Sequence, residues 1–261
     1  MDDLKPTTNG SKNPPEKEFV SRLNDLAAQS LRSQEPKWTD FLEPPEREQA
    51  QAVLGWVSGV RFNSFGGYPK AERCRMVIYP DYYIVETIQP QLAYLEIKTN
   101  SPSDLSHRDY LGSLMGLGLK REKIGDLLVA GTGCQAVIVP DLVDFIKVHL
   151  ERVGNHQATI QEIEAEQLNI PNLREKQIRG TVASLRLDAV AALGFGESRS
   201  RMAKEIKAEK VKVNWKTLAD PDYQVNRGDV ISFRGRGRVV FQELTGHSKK
   251  GRLGVLLARY L

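Results

Sequence analysis

Residues 180–261 carry sixteen Lys/Arg against eight Asp/Glu, whereas residues 1–179 carry 21 against 25. A formal net charge of +4 therefore hides a strongly basic module joined to a mildly acidic body. Such a break in charge is expected of separate bodies with different surfaces. The basic one suits a polyanionic partner.

Within that last third, Ser200–Lys210 has the spacing of a helix. At about 100° per residue, Met202, Ala203 and Ile206 share one face. Arg201, Lys204 and Lys207 lie opposite, with Ser200 and Ala208, and Glu205 and Glu209 fall on the flank. One side can dock on a core while the other offers three cations beside the free N–H groups of a helix start, a combination that attracts phosphate. An ordinary solvated helix has the same charge pattern, and the next segment weighs against it. Val211-Lys212-Val213 alternates as a short strand, Asn214-Trp215 reads as a turn, and Pro221-Asp222 and Arg227-Gly228-Asp229 mark two more. Val230–Phe233 reads as a strand, followed by Arg234, Arg236 and Arg238 interleaved with Gly235 and Gly237. Glycine lets backbone approach a ligand, and guanidinium groups fork onto phosphate oxygens. A flexible Arg-Gly loop is the alternative; beside a basic helix, RNA contact is the expectation.

The run Arg186-Leu187-Asp188, Ser198-Arg199-Ser200-Arg201, Val211-Lys212-Val213-Asn214 and Gly228-Asp229-Val230-Ile231 closely resembles the RNA-binding module named after small-subunit ribosomal protein S-four, also called the alpha-L motif. The resemblance implies two helices on a small bent sheet that binds structured RNA through the second helix and adjoining loop. It makes Arg186, Arg199, Ser200, Arg201, Lys204 and Lys207 RNA-facing, with Arg234, Arg236 and Arg238 close by. The chain departs from many members in having Lys210 and Trp215 at positions where they carry glycine.

Two further runs, GGYPKAERCRMVI (66–78) and HRDYLGSLMGLGLKREKIGDLLV (107–129), resemble the YlmH-like family, whose cyanobacterial and plastid branch is named for photosystem II; the likeness spans roughly 40–261. The second run reads as a helix capped by Ser106 with Asp109 three residues on. Its apolar face is Tyr110, Leu111, Leu114 and Met115, extended by Leu117, its end is at Gly116 and Gly118, and a basic turn follows at Lys120, Arg121 and Lys123. His107, Arg108 and Asp109 read as capping and structural groups. The basic turn reads as solvated, with a second RNA contact as the functional alternative.

Residues 1–17, with Pro6, Gly10, Pro14 and Pro15 among polar residues, are expected to be disordered. A helical N-terminal segment (18–70) has its periodic stretches at Phe19–Leu31 and Pro44–Leu54. Strands near 57–62, 75–79, 92–99, 126–130, 134–139 and 159–166, with helices near 108–117 and 141–148, give residues 71–166 the order of a ferredoxin-like or RNA-recognition-type sandwich. Residues 167–180 read as a linker to the alpha-L module at 181–261. The fold class expected is α+β.

Cys74 and Cys134 have no second thiol or histidine at ligand spacing, so no metal site or disulfide framework is expected. No apolar run approaches the ~20 residues of a membrane helix, and Asp2 and Asp3 are unlike a secretion signal. Membrane insertion is not expected, and a cytoplasmic location is, or the stroma in a plastid-bearing organism. Catalytic motifs fail on inspection. His107-Arg108-Asp109 has Leu114 where a kinase loop needs asparagine, Gly131-Thr132-Gly133 has Ala136 at the third glycine position, and Arg186-Leu187-Asp188 sits in the binding module, where its aspartate serves folding. No catalytic residue and no cofactor are expected. The resemblance implies a non-catalytic factor on the large ribosomal subunit, binding rRNA and tRNA in quality control of stalled chains. Regulation of photosystem II biogenesis and RNA modification are the alternatives.

Overall fold

The computed structural model describes residues 14–170, 175–248 and 251–260, in two units divided between Pro171 and Asn172. The expected disordered stretch 1–17 lies outside the described residues except at its end. There, helix α1 (Pro14–Ser33) already begins. Proline is tolerated in a first turn because its missing N–H would have had no helical partner.

The first unit opens with an α/β layer where a helical segment was expected. Strands β1 (Lys37–Leu42), β2 (Val60–Phe65) and β3 (Cys74–Pro80) form an antiparallel sheet in the order β1-β3-β2, with helix α2 (Pro44–Leu54) following β1. Leu23 and Ala27 of α1, Ala50 and Leu54 of α2, and Met76 and Ile78 of β3 fill one core. Strand β3, read from sequence as part of the sandwich, thus belongs to this earlier sheet. The alternation of β1 is broken by Thr39 and Asp40 and by a register shift between Trp38 and Phe41, which hides it in the sequence.

Next come β4 (Ala93–Thr99), α3 (His107–Gly116), β5 (Ile124–Ala130), β6 (Gly133–Ile138), α4 (Val143–His149), β7 (Arg152–Val153) and β8 (His156–Ile163). The antiparallel order β5-β6-β4-β8, extended by β7, is the ferredoxin-like βαββαβ arrangement expected for this region. Tyr110 and Leu114 of α3 and Ile146 of α4 pack on Leu95, Ile97, Ala136 and Ile138. The Ser106–Asp109 capping box forms, and the hydroxyl and backbone N–H of Ser106 hold the Asp109 carboxyl below its usual range. Met115, placed by spacing on the apolar face, is exposed.

The second unit is built from β9 (Glu175–Val182), α5 (Leu187–Phe195), α6 (Arg199–Lys207), β10 (Val211–Val213), β11 (Lys216–Thr217), β12 (Val230–Phe233), β13 (Gly237–His247) and β14 (Leu253–Tyr260). Its antiparallel sheet runs β11-β10-β12-β13-β14-β9, with both helices on one face over Ile231, Phe233, Val239, Phe241, Val255 and Leu257. Residues 175–180, expected as linker, are instead an edge strand. Its apolar side is only Ile178, Gly180 and Val182, and the charges between them mask it. A Cβ at Gly180 would stand 2.6 Å from a methyl of Leu193, so glycine here lets α5 settle on the strand.

Candidate RNA interface

Helix α6 owes its orientation to two fully buried side chains, Met202 and Ile206. Ser198 caps it, accepting the Arg201 N–H at 3.2 Å. The opposite face exposes Ser200, Arg201, Lys204, Lys207 and Ala208, the division that the spacing predicts. The helix stops at Lys207, short of Lys210, because Glu209 turns left-handed (φ 56°) and the Lys210 N–H returns to the Glu205 carbonyl. Lys210 also pairs with the Glu205 carboxylate at 2.7 Å, and that hydrogen bond holds Glu205 below its usual range.

Three carboxylates organise the cations. Asp188, 4% exposed, accepts Nε and Nη2 of Arg186, both at 3.2 Å, and Nη2 of Arg199 at 2.8 Å. Burial alone would raise its pKa; the hydrogen bonds from Arg199 and Arg186 outweigh that and hold it low. Arg186 reaches Asp222 as well, and its own pKa is raised, chiefly by the Asp188 bond. Glu197, nearly buried, joins Arg201 at 3.0 Å and Arg236, tying the start of α6 to the β12–β13 turn. That turn, Arg234-Gly235-Arg236, is a tight hairpin rather than a flexible loop, anchored where the Arg234 N–H meets the Lys210 carbonyl. Gly237 is required in it: its φ is 87°, and a Cβ would fall 2.7 Å from the Tyr260 carbonyl oxygen.

Of the nine candidates in this module, Arg186, Arg199, Arg201 and Arg236 are ion-paired within the fold. Lys204, Lys207 and Arg234 are exposed and make no ion pair among the described residues. Arg238 is half-buried, across from Ser232 and Tyr260 on the helix-free side of the sheet. The glutamate at 197 was missed from sequence, although its four-residue spacing to Arg201 was a signal.

The second basic cluster is largely consumed by the fold. Arg121 donates to the Ile124 and Gly125 carbonyls, and burial, then the nearby Arg73 charge, lowers its pKa to about 10. Lys123 pairs with Asp40 at 2.6 Å, which leaves Lys120 projecting, 3.9 Å from Glu122. Beside them Arg73, 5% exposed, donates to the Phe41 and Ile124 carbonyls and to Glu43, while Asp126 accepts the Tyr68 hydroxyl and the Glu72 and Arg73 N–H groups. The GGYPKAER run therefore fastens β5 to the first sheet.

Family models match in three places: "YlmH, N-terminal" over residues 15–83, "Putative RNA-binding domain in YlmH" over 90–167, and "S4 domain" over 185–231. The chain is 37% identical over 225 residues to the ribosome-associated protein quality control protein P2 of Bacillus subtilis, covering 85% of this chain and 87% of that one. The chain belongs to the YlmH family. The cell division protein ylmH of Streptococcus pneumoniae shares the fold, with TM-score 0.52 and 19% identity, over 62% of this chain and 98% of its own.

With YlmH as the frame, the central domain shows what its sequence concealed. RNA-recognition sandwiches read bases by stacking them on aromatics of the two middle strands, here β4 and β6. On that face Tyr94 and Val137 are covered: a Cβ at Gly67 would come within 2.7 Å of the tyrosine ring and 3.3 Å of the valine. Phe41 overlies Gly125. Gln135 is bonded on both ends of its amide, by the Asn169 N–H at 2.6 Å and to the Gln167 carbonyl at 3.1 Å. What remains open, around Glu96, Lys98, Thr159 and Gln161, has no aromatic, and residues 90–167 hold seven Lys/Arg against eleven Asp/Glu. In this YlmH member the sheet has the topology of a base reader without the stacking surface.

Proposed function

We propose that the protein is a non-catalytic factor that grips structured RNA of the large ribosomal subunit, rRNA and the tRNA held there, in quality control of translation. The observation that carries this is the array at α6 and the β12–β13 turn. Lys204, Lys207 and Arg234 stand unpaired among the described residues, on a scaffold locked by Glu197 and Asp188. They make first contact with phosphate. Arg201, Arg236, Arg199 and Arg186 can share or exchange their carboxylates for it, and Ser200 lies beside them. Arg238 extends the array on the far side of the hairpin, and the Lys120–Arg121–Lys123 turn supplies a weaker second contact, chiefly through Lys120.

The array is poor in aromatics, which suits a folded RNA better than a single strand. The Bacillus relative, named for ribosome-associated quality control, supports the ribosomal setting, and that setting is cytoplasmic. Among the described residues no helix is long and apolar enough to cross a membrane, and no cluster of three metal-ligating side chains occurs.

Sucrose-gradient sedimentation of lysate tests the proposal. The protein should travel with the large subunit at low salt and move to the top as salt rises. Recovery only with messenger RNA, or only with photosynthetic membranes free of ribosomes, would overturn it in favour of a regulator of photosystem II biogenesis.

A further inference from the structure

The first unit holds more acid than base, 18 Lys/Arg against 24 Asp/Glu over residues 1–171. It nonetheless carries a groove of about 570 Å³ between β1, the segment after β3 and the Pro140-Asp141 turn. Trp38 and Tyr83 supply aromatic walls, and Glu35 and Asp141 bring carboxylates to the lining. Asp141 makes no ion pair among the described residues, and the exposed Glu35 carboxylate pairs with the half-buried Lys37 at 2.9 Å. Outside the groove, Tyr82 and Ile84 are 63% and 65% exposed, with the Tyr82 ring tilted against that of Tyr83, centroids 5.3 Å apart. Large apolar side chains left in solvent beside an aromatic groove mark an interaction surface.

The groove already shows which chemistry it accommodates. Arg75 lies 5.6 Å from the Trp38 ring centroid, fixed by hydrogen bonds to the Thr39 carbonyl at 2.8 Å and the Gln91 carbonyl at 2.6 Å. Its guanidinium faces an indole, with the Asp40 and Asp141 charges acting on it. With Trp38 taken by Arg75, a second guanidinium from outside would find in the same lining the Tyr83 ring and the carboxylates of Asp141 and Glu35, two acids against the one cation, Arg75. RNA phosphate would meet net negative charge.

We propose that this groove docks an Arg-rich segment of a basic protein partner. Aromatic and charge complementarity together select arginine over lysine, because only the planar guanidinium both stacks and forks onto a carboxylate. The docking is independent of the RNA array on the second unit.

Fluorescence anisotropy of a labelled Arg-Gly repeat peptide, titrated with the full-length protein, tests the groove. The double substitution Glu35→Gln with Asp141→Asn should weaken binding about tenfold, and a Lys-Gly peptide should bind more weakly than the Arg-Gly one. Tyr82→Ala, at an exposed position that the fold does not need, should weaken it about threefold. Glu162→Gln, an exposed acid on β8 away from the groove, should leave affinity unchanged. An equal loss with Glu162→Gln, or none with the double variant, would show diffuse charge attraction and overturn the proposal. A loss of affinity for a labelled RNA hairpin on Tyr82→Ala would make the groove an RNA site and overturn it as well.

Discussion

At the scale of the residue, Asp188 is the pivot of the candidate interface. It sits at the start of α5, almost buried, with two guanidinium groups on it. Because its folded pKa lies below the unfolded value of about 3.9, its stabilisation is complete above that value and lost as pH falls through the folded one. Asp188→Asn should lower stability by about 2 kcal/mol at neutral pH, less than for a fully buried pair because both arginines reach solvent. The gap to wild type should narrow as urea melts are taken from pH 7 down to pH 3; a gap that stays constant would mean that the carboxylate charge contributes nothing. A second prediction separates fold from function on α6. Lys204→Glu with Lys207→Glu should abolish RNA binding while leaving the thermal midpoint nearly unchanged, since both side chains are exposed and unpaired among the described residues. Met202→Asp should instead unfold the module, because a carboxylate would be buried without a partner. Unfolding of the double lysine variant would show that the helix face is misassigned.

Elements were legible where apolar side chains recur at one period and caps agree with them. The α3 capping box, the buried side of α6 and the strand order of the central sandwich were readable for that reason. Elements whose signal is one-sided were not. Strand β1 interrupts its alternation at Thr39 and Asp40, and β9 presents Glu175, Lys176 and Arg179 around only three small or apolar inward positions. Turn geometry was half legible: Trp215, standing where many alpha-L modules carry glycine, does adopt a left-handed conformation (φ 64°), but the other such turn falls at Glu209 rather than Lys210. Nor does spacing reveal that Arg121 turns inward, because its carbonyl partners belong to the backbone of β5. Strand β9 pairs with β14 from Leu253↔Val182 to Tyr260↔Glu175, so the module's boundary is testable. A fragment of residues 172–261 should fold. One beginning at residue 181 bares the edge of β14 and loses Ile178, and should be less stable by at least about 2 kcal/mol and prone to association. Equal melting and monomeric sedimentation of the two fragments would remove β9 from the folding unit.

For the whole molecule, charge is partitioned more sharply than the sequence boundary at 180 indicated. Residues 172–261 hold 19 Lys/Arg against nine Asp/Glu, and residues 1–171 hold 18 against 24. The first unit spends Arg73 and Lys123 on fastening β5 to its first sheet, and Arg121 on the carbonyls at the start of β5. The second keeps Lys204, Lys207 and Arg234 outward and restrains the rest through carboxylates. RNA affinity should therefore reside in the second unit: fragment 172–261 should retain most of the binding to a structured RNA and fragment 1–171 little. Each phosphate contact releases about one counterion, so three outward cations and four exchangeable arginines predict a slope of about −3 to −7 in log affinity against log salt. Lys204→Glu alone should flatten that slope by about one, with a uniform loss across RNA sequences, because phosphate contacts carry no base information. A filter-binding series from low to high salt measures both quantities. Strong salt-dependent binding by fragment 1–171, or a slope untouched by Lys204→Glu, would place the RNA elsewhere on the chain.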